Sequence, residues 1–286
     1  MKFFKIEKIK IYFLFLLILT NLMIFYAVIN ESRGNILQVS FLDIGQGDAA
    51  LIESPTGNTF LIDGGPDKSI LNALGRVLPF YDKTIDVVLA THPDADHIGG
   101  IPEVMKNYSV KEFVYNGATS STGIFRELEN EITDKKIKTE IVRTGEVFDL
   151  GGGALLKILY PDTDPKGTDT NEYSIVAELY YGNSTFMFTG DAPTDVLNYL
   201  AKTDGGKLRS DVLKVAHHGS RNSLSPAFLS AVNPEYSVIS AGKNNKYGHP
   251  HKEILDFLES IKSQILITFN LGDIVFVSDG QTIKEE

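Results

Sequence analysis

Between residues 92 and 97 the sequence reads His92-Pro93-Asp94-Ala95-Asp96-His97, so four good metal-binding side chains crowd into one short stretch. Two imidazoles and two carboxylates held this close are costly to bury bare. A divalent cation, or a pair of them, resolves the conflict. All six histidines fall in three short stretches, at 92 and 97, 217 and 218, and 249 and 251. A single histidine is more often a hydrogen-bonded structural residue than a ligand. Beside Asp94 and Asp96, His92 and His97 read as ligands.

The elements around this loop would hold it tightly. Ile85–Ala90 is an apolar, β-branched run that predicts a buried strand ahead of the loop. Gly99-Gly100 and a helix over Pro102–Asn107 follow. Upstream, strands are predicted at Ile36–Leu42, Ala49–Glu53 and Thr59–Ile62, then an amphipathic helix over Ser69–Tyr81 ended by Pro79. Gly45-Gln46-Gly47-Asp48 reads as a tight turn near the site rim, with Asp48 at most supporting the ligands. Asp63, before Gly64-Gly65, reads either as a support for the loop or as a turn aspartate. Downstream, Ser174–Tyr181 and Ser184–Thr189 form a hairpin, Asp211–Ala216 and Tyr236–Ser240 are strands, and Ile265–Asn270 and Ile274–Ser278 close the chain. Residues 161–172 form a long polar loop. Strands open the body and then alternate with helices, a pattern that occurs twice. This predicts an α/β sandwich, with sheets inside, helices outside, and the polar residues at carboxyl ends of strands.

The chain has 286 residues, 43% of them hydrophobic and 22% charged, which supports a packed core. It has no cysteine, which excludes disulfides, thiolate zinc sites and a cysteine nucleophile. Lys2, Lys5, Lys8, Lys10 and Arg33 against Glu7 and Glu31 leave residues 1–33 at +3, so the rest carries −13 of the overall −10. A body this acidic argues against an extended basic nucleic-acid surface. Residues 11–29 are uncharged and follow four lysines. They are expected to be one N-terminal transmembrane helix, with the body outside the cytoplasm. A cleaved signal peptide and secretion is the alternative, and a buried core helix a third reading. The expected organisation is an anchor and tether over 1–33 and one globular domain over 34–286.

Taken together, His92–His97, Asp63-Gly64-Gly65 and Thr189-Gly190-Asp191 resemble the metallo-β-lactamase superfamily. Phe41–Asp48, Val215–Ser220 and Tyr247–His251 narrow the resemblance to the metallohydrolase domain of ComEC-type competence proteins and its free-standing relatives. It covers roughly residues 36–279. The channel region that accompanies this domain in competence proteins has no counterpart here beyond the single apolar run. The resemblance implies an αββα sandwich and two divalent ions, zinc or manganese. Its ligands would be His92 and Asp94 at one ion, Asp96 and His97 at the other, Asp191 bridging, and His217 or His218 completing the second. Asp94 stands where the superfamily loop has histidine, which shifts preference toward Mn²⁺. No histidine lies between 97 and 217, and Asn171 is the nearest positional candidate for the isolated third-motif ligand.

Two such ions, about 3.5–4 Å apart, would hold a hydroxide and aim it at phosphorus or a carbonyl. Asp96 and His249 are the catalytic candidates. Ser220, Arg221, Ser223 and Tyr247, with Asn245, are candidate substrate contacts. The expected activity is that of an extracytoplasmic phosphodiesterase or nuclease, acting on a phosphodiester such as single-stranded DNA. Small phosphoesters of the phosphocholine type, or lactones, are the alternative substrates. A catalytically silent binding module is the reading from another class.

Overall fold

The structure, a computed structural model, describes residues 2–31 and 34–286, with side chains in the first stretch described at 8 and 10–26. The chain divides into two units, Met1–Gly34 and Asn35–Glu286.

The first unit carries helix α1 (Lys2–Glu31), whose apolar side chains from Ile11 to Tyr26 are exposed on all sides. The expected transmembrane helix is not supported: among the described residues no helix is long and apolar enough to cross a membrane. Ser32 and Arg33 of the expected tether lie outside the described residues.

The second unit is the predicted α/β sandwich. Strands β1 (Leu37–Phe41), β2 (Ala50–Glu53), β3 (Thr59–Ile62), β4 (Thr84–Ala90), β5 (Ser109–Tyr115) and β6 (Lys138–Ile141) lie in one sheet. The other holds β7 (Val147–Gly151), β8 (Ala154–Tyr160), β9 (Val176–Tyr181), β10 (Ser184–Phe188), β11 (Val212–Lys214), β12 (Tyr236–Ile239) and β13 (Gln264–Ile267). The chain then returns to the first sheet with β14 (Ile274–Ser278) and β15 (Ile283–Glu285), giving the order β15-β14-β1-β2-β3-β4-β5-β6. The second sheet runs β13-β12-β11-β10-β9-β8-β7.

Period-two patterning makes this a three-level core. Val39, Phe41, Ile52, Phe60 and Phe276 point between the sheets, where they meet Phe186 and Phe188. Phe41 and Phe188 stack across the layers at 5.8 Å. The alternate residues Leu51, Leu61 and Val88 face outward beneath helices α2 (Ser69–Val77), α3 (Ala95–Ile98), α4 (Ile101–Asn107) and α5 (Gly123–Lys135). Leu213, Val215 and Ile239 do the same beneath α6 (Thr194–Asp204), α7 (Pro226–Val232) and α8 (Lys252–Ser260). Each fully buried large side chain contributes about 1.5–3 kcal/mol.

Two local expectations change. Helix α2 ends at Val77 rather than Tyr81 because Leu78, forced extended by Pro79, has ψ 145°. The last strand of the second sheet stops at Ile267, and Thr268–Leu271 turns into a short helix, α9.

Candidate metal centre

Every predicted ligand leaves the carboxyl end of a strand. Asp63 follows β3, residues 91–97 follow β4, Asp191 follows β10, and His217-His218 follow β11. Strands β3–β4–β5 and β10–β11–β12 are parallel within their sheets, so their loops emerge at one edge. The loops are then zipped by backbone bonds. Gly64 N donates to His97 O at 2.7 Å, Gly65 N to Asp48 O at 2.8 Å, and Asp48 N to Asp96 O at 3.2 Å. Gly47 has φ +139°, and a Cβ there would stand 2.2 Å from the Asp96 carbonyl oxygen. Glycine is required at 47 because two backbones touch there.

His92, His97 and His218 are buried and oriented in the same way. In each, Nδ1 is anchored. His92 Nδ1 lies 2.9 Å from Thr91 Oγ1, His97 Nδ1 lies 2.8 Å from Asp63 Oδ2, and His218 Nδ1 lies 3.0 Å from Ser240 O. Thr91 Oγ1 donates in turn to Asp63 Oδ2 at 2.8 Å, and Thr91 N to Asp63 Oδ1 at 2.8 Å. Asp63 therefore orients both histidines of the loop, which settles its role in favour of support rather than a simple turn. The Nε2 atoms of all three histidines are buried and make no hydrogen bond. They converge on Asp191, whose carboxylate oxygens stand 3.2 Å from His97 Nε2, 3.7 Å from His218 Nε2 and 4.0 Å from His92 Nε2. Anchored Nδ1 and bare Nε2 around one buried carboxylate is the donor arrangement that a divalent ion satisfies.

Two overlapping donor groups share this space: His92, His97 and Asp191, and Asp96, His97 and His218. Asp96 Oδ2 stands 3.3 Å from His218 Nε2. Asp94 is half-exposed, its Oδ2 3.8 Å from His92 Nε2, while its other oxygen accepts from Thr170. The donor set of nitrogens and carboxylate oxygens around Asp191 fits divalent metal binding.

Protons balance the charges where no cation does. Burial pushes the Asp191 carboxyl up, but His97 and His218 override it and hold it well below the usual carboxylate range. Burial lowers His97, and Asp191 and Asp63 then raise it well above ordinary histidine. His218 is likewise lowered by burial and raised overall to about 9 by Asp191 and Asp48. His92 goes the other way, lowered by burial and by the charge on His97.

The adjacent His217 and His218 have different surroundings. Both sit in the left-handed region, at φ 51° and 55°. His218 is 1% exposed and stands beside Asp48, whose Oδ1 is 3.1 Å from Nδ1. His217 lies nearer the mouth, its Nε2 3.6 Å from Asp191 Oδ2. Geometry favours His218 as the ligand. Asp48 is tied down by Lys214, whose Nζ donates to Asp48 Oδ2 at 2.6 Å, with both side chains buried. Burial raises the Asp48 carboxyl, while Lys214 and then His218 pull it well below the usual range. Sequence reasoning missed Lys214. Its only signal is a cation on an otherwise apolar buried strand.

The remaining candidates divide. His249 packs over the pair, its ring 5.6 Å from His217 and 6.1 Å from His218, and burial followed by His218 lowers it to about 4. Tyr247 is exposed and stacks on His249 at 5.5 Å and 21°. The exposed Arg221 guanidinium stands 3.6 Å from Glu253 on α8. Ser220 is buried and its hydroxyl accepts from Asn222 N, a turn-capping role. Ser223 Oγ is buried without a hydrogen-bond partner. Asn245 accepts from the Tyr247 and His249 amides and donates to Gly242 and His249 carbonyls, so it builds the loop.

The family model of the metallo-beta-lactamase superfamily matches residues 42–243. The chain belongs to this superfamily. Within it, the chain is 29% identical over 260 residues to ComE operon protein 3 of Bacillus subtilis, covering 84% of this chain and 33% of that protein. It is 30% identical over 247 residues to Recombination protein 2 of Haemophilus influenzae, covering 83% and 28%. The chain thus spans about a third of the length of these relatives. Among solved structures, the metallo-beta-lactamase fold protein YhfI from Bacillus subtilis shares the fold, with TM-score 0.58 and 12% identity over 85% of this chain and 99% of that one. The metallo-beta-lactamase fold implies divalent metal binding, and the buried, unpaired Nε2 atoms supply the donors.

Proposed function

We propose that the chain is a metal-dependent phosphodiesterase acting on nucleic acid, single-stranded DNA above all. The observation that carries this reading is the platform beside the metal centre. Tyr247 lies exposed and flat on His249, with Lys246 Nζ 4.9 Å over its ring. An aromatic face with a cation beside it takes unstacked bases and backbone phosphate. The name of one relative, Recombination protein 2, agrees with nucleic acid as the substrate.

Two bound divalent ions, Mn²⁺ by preference given the carboxylate at 94, would supply Lewis acidity and lower the pKa of water. The chain does the rest. Asp96, at the half-open side of the cluster, orients the attacking water and takes its proton as the oxygen–phosphorus bond forms. The ester oxygen leaves and takes a proton from solvent. His249, held neutral, contributes a hydrogen bond to the phosphoryl group rather than a charge. Asp63, through Thr91 and His97, keeps the loop in register.

A specific observation favours small substrates as the second reading. A cleft of about 320 Å³ lined by Tyr160, Asp169, Glu172, Tyr173, Asp195 and Tyr199 is acidic and aromatic, which suits a small cationic ester better than a polyanion. A panel of labelled oligonucleotides, small phosphodiesters including choline esters, and lactones separates the two. Mn²⁺-dependent cleavage of oligonucleotides, lost in both His92→Ala and Asp191→Ala, is expected. Cleavage that survives in both variants overturns the reading.

We further place the catalytic domain outside the cytoplasm, because four lysines precede the uncharged run 11–29, the charge pattern of an export signal. Protease added to intact cells should then digest the domain. Recovery of the intact chain in the soluble cell fraction would refute this placement.

A further inference from the structure

Two loops tied to the metal loop enclose a trough beside it. Asn116, buried after β5, donates from Nδ2 to Thr91 O at 3.2 Å and to Tyr173 O at 2.8 Å. Its Oδ1 accepts from Ala118 N at 2.9 Å, fixing the start of the 117–121 loop. From the other loop, the Thr170 hydroxyl donates to Asp94. The trough has a volume of about 320 Å³, and Thr119, Ser120, Ser121, Thr168 and Thr170 line it with hydroxyl-bearing side chains. Among the described residues, Asp169 alone in its lining is charged. Thr119 also lines a second cavity, of about 210 Å³, between α5 and strands β5 and β6. There Phe113 and Tyr115 stack at 5.4 Å and 26° on the strand side, and Phe125 and Leu128 come from α5. These four side chains also line a void of about 10 Å³ that reaches His92 and Pro93. The cavity is thus joined to the metal loop twice, through the trough and through its own inner wall.

We propose that this aromatic cavity takes one nucleobase of the substrate strand, with the sugar and phosphate of that nucleotide lying in the hydroxyl-lined trough. The inference rests on the nucleic-acid reading above and adds a base site built from other elements than the Tyr247 platform. Size comes first. An apolar cavity of about 150 Å³ holds a benzene ring, so this one has room for a single planar heterocycle. Its walls are aromatic faces, on which any base stacks. Glu129 and Thr133 on α5 and Thr139 on β6 add polar groups to the lining, and among the described residues no cation joins them. A carboxylate accepts from the exocyclic amine of a base and repels a phosphate. Base and backbone are therefore sorted between the two spaces, the ring to the cavity and the sugar–phosphate to the hydroxyls leading to Asp94.

The test uses the full chain with Mn²⁺ and a labelled single strand in which one phosphodiester is cleavable and the other linkages are methylphosphonates. Each nucleotide in turn is made abasic, and kcat/KM is measured for every strand. Thr139→Trp and Thr133→Trp fill the cavity from two different elements. Both positions are exposed, and thermal unfolding checks the fold of each variant. In the wild-type chain, one abasic position beside the cleavable bond should cost about tenfold or more. The filled variants should cleave the intact strand that much less well and lose nothing further at that position. A wild-type chain that cleaves all abasic strands equally well would overturn the proposal. So would a penalty that persists unchanged in both filled variants, and one that persists there but vanishes in Tyr247→Ala puts the base on the platform instead. A wild-type chain that leaves every strand intact would overturn the nucleic-acid reading, and the base site with it.

Discussion

His217 and His218 share a residue type, a backbone region and a neighbour in Asp191, yet only one is built into the protein. His218 has its Nδ1 against Ser240 O and Asp48, with Lys214 behind Asp48. His218→Ala is therefore expected to remove one bound ion, and His217→Ala to leave the metal content at two, as metal analysis after dialysis would show. Lys214→Met strands a buried carboxylate. It should destabilise the chain by about 3–5 kcal/mol, and adding Asp48→Asn should recover part of that loss in denaturant unfolding. His249 gives a pH signature. Burial, then His218, His217 and His251, holds it near 4, so the unfolded chain takes up this proton first as pH falls. Its contribution to stability is intact above about 6.5 and is lost between 6.5 and 4. In the metal-free protein, His249→Gln should flatten that loss, as urea midpoints across the range would show. Equal slopes in the two proteins would refute it. At this scale the sequence was partly legible. His92, Asp94, Asp96 and His97 announce themselves by spacing, whereas choosing between His217 and His218 needs to know which ring faces Ser240 O.

Loops and strands were easier to foresee than their partners. The run Ile85–Ala90 and the glycines after the metal loop define a strand–loop–helix unit by pattern alone. What pattern does not reveal is that Gly45–Asp48, between β1 and β2, lies against that loop. The turn was legible, but its contact with Asp96 O is a tertiary fact. Gly47→Ala is expected to disturb both loops at once, because the added methyl meets a carbonyl oxygen and the φ of +139° disfavours any side chain. Weaker metal binding together with a lower melting temperature is the expected pair of results. Gly57→Ala, at a turn with open space, should lose stability without loss of metal affinity. Arg221 shows the converse limit. Its place in a histidine-rich motif predicts a substrate contact, and pattern does not reveal that Glu253 on α8, thirty-two residues later, stands 3.6 Å from its guanidinium.

At the scale of the whole molecule, the two sheets meet at the metal centre through side chains from both. His92, Asp96 and His97 come from the first sheet's loops, and Asp191 and His218 from the second's. A bound ion acts as a cross-link between layers that otherwise adhere by their apolar faces. Saturation at about a hundredfold over the dissociation constant should stabilise the fold by about 2.7 kcal/mol, and chelation should lower the melting temperature correspondingly. An unchanged melting temperature after complete chelation would show that the layers do not depend on the ion.

Strand β1 lies between β2 and β14, with Phe41 opposite Ile274. That pairing has a temporal meaning. During synthesis the ribosome delivers β1 first and β14 only after every strand of the second sheet, so one edge of β1 stays open until β14 emerges. The ligands arrive in stages as well, the 92–97 loop early and His218 much later. A nascent chain can hold a partial cluster until His218 emerges, and the first sheet closes only after that. Contacts this distant in sequence form slowly and leave strand edges exposed meanwhile. Completion of the metal cluster and protection of the β1 edge therefore both wait on synthesis of the second sheet.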